Sequence, residues 1–202
     1  MPAHNRDLHG NAPDASPAAL LVIDMINDLE FEGGEKLLPQ AVRAARRIGA
    51  LKLRARKAGV PVIYANDNFG RWRSDFREVV RHCLEDGVRG RPLAELLRPG
   101  HEDYFVLKPR HSAFYGTTLA TLLEYLGATR LVLTGINGDN CVLMTAADAY
   151  VRDYQVHVPA DCCASIEARH NRSALEHMKR VLHADTRPAA KINFRALARS
   201  RS

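Results

Sequence analysis

Three residues with different reactive groups stand at or just after apolar runs of the sequence. Asp24 ends the run ALLVID, Lys108 ends YFVLK, and Cys141 follows RLVLTG after a short loop. In an open parallel sheet, ligands bind beyond the carboxyl ends of the strands. One Asp or Lys after a strand is most often a cap or a solvated end, so the joint placement carries the argument. It predicts that a carboxylate, an ammonium group and a thiol converge on one site.

Cys141 has the sequence context of a nucleophile, because capping residues precede it and apolar helix positions follow it. A helix N-terminus and a nearby ammonium both lower the pKa of a thiol, which is ordinarily about 8.5. We therefore expect Lys108 to favour the thiolate and Asp24 to move protons between the thiol and a leaving amine. The alternative is a small buried apolar residue, which is the interpretation that we keep for the other cysteines, Cys83, Cys162 and Cys163.

The elements that must position these groups alternate along the chain between short apolar runs and longer stretches with helical periodicity. The expected strands lie at 19–24, 60–66, 104–108, 130–135 and 155–160, and the expected helices at 36–58, 74–82, 117–127, 140–153 and 167–183. This alternation predicts an α/β fold with helices around a parallel sheet. We expect one domain over 18–190, between a flexible arm (1–17) and a basic tail (191–202), with loops in the Gly- and Pro-containing stretch 67–103.

Composition excludes several classes of protein. The 202 residues are 46% hydrophobic and 26% charged, which is ordinary for a globular domain. A long apolar run and the order of a signal peptide are both missing, so we predict a cytoplasmic protein with no membrane association. The net charge of +6 is concentrated on the stretch 43–57 and in the tail, without an aromatic platform, so we predict no nucleic-acid partner. The four cysteines form no CxxC pair, so we predict no disulfide framework.

Three motifs in a fixed order give the chain a resemblance to a known family. They are LLVIDMINDLEFEGG around Asp24, VLKPRHSAF around Lys108, and TGINGDNCVLMTAADAY around Cys141. Over roughly residues 18 to 185 the chain resembles the isochorismatase-like superfamily, in particular its cysteine hydrolases, which include nicotinamidases and N-carbamoylsarcosine amidohydrolases.

The resemblance implies both a fold and a mechanism. The fold is a three-layer, six-stranded, mostly parallel sheet flanked by helices. The triad is Asp24, Lys108 and Cys141, and the amidase members work through a thioester. A cis peptide bond between Ile136 and Asn137 is implied, with an oxyanion hole made by the amides of Asn137 and Cys141. The substrate is a small molecule, and a homo-oligomer, either a dimer or a tetramer, is implied as well.

The sequence departs from nicotinamidases where they bind a metal. After the second strand, those enzymes carry an Asp, a His two residues later, and a further His. Here the stretch reads NDNFGRW, with Phe69 two residues after Asp67, and Ile26 replaces the usual glutamine of the first motif. We therefore predict no metal and no cofactor, and the substrate stays open.

Residues in nearby loops are candidates for the substrate pocket. They are Asn66, Asn68, Phe69, Trp72, His111 and Phe114. Packing of a loop on the sheet, or a turn role for the asparagines, is an equally good interpretation of them. We expect hydrolysis of an amide or ureido C–N bond. Two alternatives stay open, namely vinyl-ether hydrolysis of isochorismatase type, with Asp24 acting and no covalent step, and a non-catalytic binding scaffold.

Overall fold

The expected apolar runs are strands in the computed structural model, which describes residues 15–69 and 75–199. The elements in these ranges are β1 (Ala18–Ile23), α1 (Gly34–Lys57), β2 (Val62–Asp67), α2 (Phe76–Glu85), α3 (Arg91–Leu96), β3 (Tyr104–Lys108), α4 (Leu119–Leu126), β4 (Arg130–Ile136), α5 (Leu143–Tyr150), β5 (Gln155–His157), β6 (Cys163–Ala164), α6 (Ala168–Val181) and α7 (Phe194–Leu197). A π-helical turn, Gly138–Val142, leads into α5.

The six strands form one sheet in the order β3-β2-β1-β4-β5, and β6 pairs with β4. Every strand pair is parallel. This confirms the predicted fold class. Because β1 lies between β2 and β4, the strand order reverses at β1, and the crevice for a ligand is expected beyond the carboxyl ends of these strands.

Alternate residues of each strand enter two separate cores. Leu20 and Val22 of β1 pack in the core on one face of the sheet, with α1, α2 and α3. Leu21 and Ile23 pack in the core on the other face, with α4, α5 and α6. Strands buried on both faces need apolar residues at every position, which explains why these runs are continuous and not alternating. The result is a three-layer arrangement that fixes the carboxyl ends of the strands.

Two segments are more ordered than the sequence suggests. The stretch 67–103 contains the short helix α3 in addition to the expected helix near 74–82, seen as α2. The described part of the basic tail packs on the body, because Ile192 and Phe194 are buried and Arg54 donates to the backbone carbonyl of Ala189 at 2.9 Å. Residues 1–14 of the arm and 200–202 of the tail lie outside the described ranges.

The basic residues of α1 are partly used inside the protein. Lys52 is buried and forms a 2.8 Å ion pair with Asp103, whose carboxylate also accepts two 2.8 Å hydrogen bonds from Arg56. The hydroxyl of Tyr64 accepts a further hydrogen bond from Lys52, at 2.7 Å. The ion pairs of Lys52 and Arg56 with Asp103 therefore connect α1 to the segment before β3. No helix within the described ranges is both long enough and apolar enough to cross a membrane.

Replacing Asp103 with alanine should destabilise the protein by about 3 kcal/mol, because it leaves Lys52 buried without its anion. For a chain of this size, that corresponds to a fall in Tm of roughly 6 to 12 °C. Glu102→Ala is the matched control. Glu102 pairs with Arg56 at 2.9 Å, but its side chain is 46% exposed, so the change should cost less than about 1 kcal/mol. If urea unfolding showed the same loss in the free energy of unfolding for both variants, this account would be contradicted.

Candidate active site

The first strand delivers a buried carboxylate to the carboxyl edge of the sheet. Asp24 follows β1 with φ of +52°, a left-handed conformation that few non-glycine residues adopt. Its Oδ1 accepts a 2.8 Å hydrogen bond from the backbone N–H of Asp67, and its Oδ2 lies 2.8 Å from Nζ of Lys108. The Lys108 side chain is fully buried and that of Asp24 is 6% exposed. Two opposite charges are thus held in one geometry at the ends of β1 and β3.

The thiol is placed by the turn that follows β4. The backbone carbonyl of Asn137 accepts hydrogen bonds from the N–H groups of Asn140 and Val142, both at 3.1 Å, so the turn closes around Cys141. Oγ1 of Thr145 donates to the carbonyl of Cys141 at 2.7 Å and ties the turn to α5. In this position the Cys141 sulfur lies 3.6 Å from Nζ of Lys108.

A side chain at position 138 of this turn would displace Asn171. A Cβ atom there would lie 2.0 Å from Oδ1 of Asn171, which belongs to α6. The backbone N–H of the next residue, Asp139, donates to Oγ of Ser165 at 3.1 Å, and that hydroxyl also contacts Asn171. The turn that carries Cys141 is therefore held from both sides, by α5 and by the segment that leads into α6.

Burial sets the protonation of the three groups. It raises the pKa of Asp24, against the opposing effect of Lys108. Burial also works against the charge of Lys108, but the neighbouring anionic groups, Asp24 first, raise the pKa of this ammonium overall. Burial, followed by the Asp24 carboxylate, raises the pKa of the Cys141 thiol to about 12, although Lys108 lowers it. The expectation of a lowered thiol pKa is therefore wrong, because it left out burial and the adjacent anion.

A cavity of about 280 Å³ opens onto the sulfur. It is lined by Asp24, Asn27, Phe31, Asp67, Phe69, His111, Ile136, Asn137, Asn140 and Cys141. Nδ1 of His111 approaches the sulfur of Cys141 to 3.8 Å from the loop that follows β3. A small ligand in this cavity would therefore meet both Cys141 and Asp24, while Lys108, which does not line the cavity, lies 2.8 Å from the Asp24 carboxylate.

The peptide bond between Ile136 and Asn137 is cis. Burial and the Asp24 carboxylate raise the pKa of the Cys141 thiol, and the backbone N–H of Asn137 opposes them. An N–H group in this position can also donate to an oxygen that develops charge on an atom bonded to the sulfur.

The model of the isochorismatase domain matches residues 18–187. The chain belongs to the isochorismatase family. It is 42% identical over 167 residues to the uncharacterized isochorismatase family protein YaaI of Bacillus subtilis (strain 168), covering 83% of this chain and 91% of that protein. It is 30% identical over 180 residues to the ureidoacrylate amidohydrolase RutB of Methylorubrum extorquens (strain DSM 6343 / CIP 106787 / DM4). That match covers 73% of this chain and 70% of that protein.

Among solved structures, this isochorismatase-family hydrolase is similar to the N-carbamoylsarcosine amidase from Thermoplasma acidophilum. The TM-score is 0.69 and the sequence identity is 32%, and the match covers 87% of this chain and 98% of that one. The residues that the family model matches, 18–187, include all six strands of the sheet and the segments that carry the candidate site.

The structure brings Asp24, Lys108 and Cys141 together, with Phe69 and His111 in the cavity wall. Three other pocket candidates lie elsewhere, and Trp72 is outside the described ranges. Asn66 is fully buried, and its side-chain amide bonds to the backbone N–H and carbonyl of Ile26. Asn68 is buried and does not line the cavity, and Phe114 packs in the core against the ring of Tyr154. Asn66 thus supports the loop after β1, and Phe114 belongs to the core that α4, α5 and α6 share.

Several lining residues were not singled out as pocket residues from the sequence. Asn27 and Phe31 belong to the loop after β1, Asn140 directly precedes Cys141, and Asp67 ends β2. The sequence signal for these residues is their position, because each lies at or after the carboxyl end of a strand. Choosing among neighbours in such loops requires the direction of each side chain, and the loops carry no periodicity that gives it.

The residues after β2 do not fit the metal site of the nicotinamidase pattern. Phe69 occupies the position of the first histidine, and its backbone N–H donates to Oδ1 of Asp67 at 2.6 Å. Within 15–69 and 75–199, no group of three His, Cys, Asp or Glu side chains could hold a metal ion.

Alkylation of Cys141 should be slow at neutral pH and should accelerate as the pH rises toward the raised pKa of about 12. Asp24→Asn removes the anion that, after burial, raises this pKa, so the midpoint of the pH–rate curve of alkylation should move to lower pH. Lys108→Met removes the cation that lowers the pKa, so the midpoint should move to higher pH. Iodoacetamide labelling read at each cysteine by mass spectrometry measures all three rates. Fast labelling of the parent protein below pH 7, or the same direction of change in both variants, would refute the assigned electrostatics.

Proposed function

We propose that this protein hydrolyses an amide or ureido C–N bond of a small molecule, with Cys141 as the nucleophile. The observation that carries the proposal is the position of the Cys141 sulfur, 3.6 Å from Nζ of Lys108 and open to a cavity of about 280 Å³. The names of two relatives, a ureidoacrylate amidohydrolase and an N-carbamoylsarcosine amidase, support this bond type. A thiol at this position has no use in acid-only cleavage of a vinyl ether, which makes that alternative weaker.

The first half of the reaction forms a thioester. Asp24 takes the proton of the Cys141 thiol as the sulfur attacks the substrate carbonyl carbon, and the carbonyl oxygen becomes an oxyanion. The backbone amides of Asn137 and Cys141 stabilise this oxyanion. Collapse of the tetrahedral intermediate breaks the C–N bond, and Asp24 returns its proton to the leaving nitrogen. Transfer directly to Asp24 removes the need for a preformed thiolate, which agrees with the raised pKa of the thiol.

The second half of the reaction regenerates the thiol. Water attacks the thioester carbonyl, Asp24 accepts a proton of that water, and the C–S bond breaks to release a carboxylic acid or, from a ureide, a carbamic acid. The proton on Asp24 returns to the sulfur. Burial raises the pKa of Asp24, and a carboxyl whose pKa lies closer to the operating pH is better suited to accept and return a proton. Lys108 holds the carboxylate in place at 2.8 Å and balances its charge.

We also propose that the protein acts in the cytoplasm as a homo-oligomer, a dimer or a tetramer. The four cysteines are free and buried, which agrees with a reducing compartment. The exposed apolar side chains of Tyr115, Met144 and Val151 line a groove of about 560 Å³ beside His111, which agrees with an interface between subunits.

The test is ammonia release from a panel of primary amides and monosubstituted ureas, measured with the parent protein and with Cys141→Ala. Turnover that depends on Cys141, together with a mass increase on this cysteine equal to the acyl group, supports the proposal. Cleavage of isochorismate that survives Cys141→Ala would replace it with the vinyl-ether alternative. No turnover of any compound, combined with salt-sensitive binding to acidic polymers, would replace it with a binding scaffold.

A further inference from the structure

The cavity contains a carboxylate that the proposed reaction does not use. Asp67 ends β2, lines the cavity, and has a side chain that is 37% exposed. Its Oδ1 accepts the backbone N–H of Phe69 at 2.6 Å, and its own backbone N–H is bonded to Asp24. Oδ2 lies 3.9 Å from Nζ of Lys108, which is too long for a hydrogen bond. A carboxylate has about four acceptor positions, so Asp67 retains capacity to accept hydrogen bonds from a ligand.

Within 15–69 and 75–199, the fixed charges around the cavity add up to an excess of negative charge. Asp24 and Asp67 are two carboxylates, and Lys108 is the one ammonium group that contacts both. The part of the cavity lining that the structure describes contains no Arg or Lys side chain, and the side chain of Arg110 lines the neighbouring groove. Among the described residues, two carboxylates, one ammonium group and a protonated thiol leave one negative charge over. A walled site with excess charge of one sign attracts ligands of the opposite sign and repels those of the same sign.

A second hydrogen-bond acceptor in the cavity wall also favours a ligand that donates N–H groups. Asn137 lines the cavity, and its side-chain Oδ1 is buried without a hydrogen-bond partner among the described residues. A buried acceptor of this kind is costly unless a ligand supplies a donor. The rings of Phe31 and Phe69 provide apolar walls in the same cavity. Besides the amides of Asn27 and Asn140 and the imidazole of His111, the described lining offers these acceptors and apolar surface. The neighbouring ammonium group of Lys108 is already paired with Asp24.

We propose that the substrate carries no negative charge and donates an N–H group to Asp67. This inference rests on the proposed amide or ureide hydrolysis and narrows it to neutral or cationic compounds, in which a second nitrogen or an ammonium group faces Asp67. The compounds in the names of the two relatives, ureidoacrylate and N-carbamoylsarcosine, carry a carboxylate and would be disfavoured here. The chain would therefore share the reaction of those relatives but differ in the charge of its substrate.

Charged thiol reagents test the electrostatic potential at Cys141 and do not require the protein to turn over a substrate. The probes are 2-aminoethyl methanethiosulfonate, a cation, and 2-sulfonatoethyl methanethiosulfonate, an anion. Each forms a disulfide with the thiolate and releases methanesulfinate. The rates at Cys141 are read by mass spectrometry and divided by the rates with 2-mercaptoethanol. We expect the cation to be favoured at least about tenfold over the anion in the parent protein, and this preference to fall at least threefold in Asp67→Asn.

Asp28→Asn is the matched control, because Asp28 lies in the loop after β1 but its carboxylate faces His82 and a separate cavity. It should change the preference less than about twofold. A preference for the anion, or an unchanged preference in Asp67→Asn, would overturn the inference, and so would failure of both reagents to reach Cys141.

Three ureas of similar size then test the substrate charge directly: propylurea, 2-aminoethylurea and N-carbamoylglycine. Faster cleavage of N-carbamoylglycine would overturn the charge inference while leaving the proposed reaction intact. No cleavage of any amide or urea, together with a cation preference at Cys141, would reject the proposed reaction alone.

Discussion

Cys141→Ala should lower kcat/KM for the best amide or ureide substrate by about 10⁵-fold or more. A covalent mechanism divides a difficult hydrolysis into two easier steps, and removing the nucleophile of such a unit removes most of the rate enhancement. Alanine also removes the contact at 3.6 Å to Lys108, but it leaves the Asp24–Lys108 pair in place. Folding should therefore be preserved, and the measurement is steady-state ammonia release at matched protein concentration with unfolding followed by circular dichroism.

Cys163→Ala is the matched control for this change. Cys163 is 7% exposed and Cys141 is 8% exposed, and burial raises the pKa of each thiol to about 12. Cys163 lies in β6, beside the turn that holds Cys141. If burial of a thiol near the sheet edge were all that mattered, the two variants would lose similar activity. Retention of more than about 1% of kcat/KM in Cys141→Ala would exclude Cys141 as the nucleophile.

Most of the sheet was predictable because five of its six strands, β1 to β5, coincide with apolar runs of the sequence. The runs at 19–24, 104–108 and 130–135 are continuous and apolar, and their observed bounds differ from these by no more than one residue at either end. β6 has only two residues, Cys163 and Ala164, and so offers no periodicity to detect. The short helix α3 has six residues, fewer than two full turns, and lies in a stretch where glycine and proline favour loops.

The meeting of the triad was predictable from topology alone, because the carboxyl ends of parallel strands share one edge. The protonation states of these groups could not be predicted in the same way. The direction in which the pKa of Cys141 moves depends on a balance between burial, the Asp24 anion and the Lys108 cation. The sequence identifies the charges but does not say how deeply they are buried. The direction of each loop side chain was equally hidden. Asn66 turns toward the backbone of Ile26, while Asp67, one residue later, turns toward the cavity.

The role of Asp24 can be separated from its effect on stability. Asp24→Asn should lower kcat/KM by about 10³-fold or more, because an amide cannot accept and return the proton. The same change leaves the buried ammonium of Lys108 without its 2.8 Å partner, so the variant should also lose about 3 kcal/mol of stability. Kinetics and urea unfolding on the same preparations measure both losses.

The double variant Asp24→Asn/Lys108→Met distinguishes these two effects. Methionine fills most of the volume of the lysine stem without a charge, so the double variant should recover much of the stability that Asp24→Asn loses. It should recover no activity, since the proton acceptor is still missing. If activity returned together with stability, Asp24 would act only by holding the fold around Lys108. If Asp24→Asn kept more than a tenth of the parent kcat/KM, another group, with His111 at 3.8 Å from the sulfur as the first candidate, would be the base.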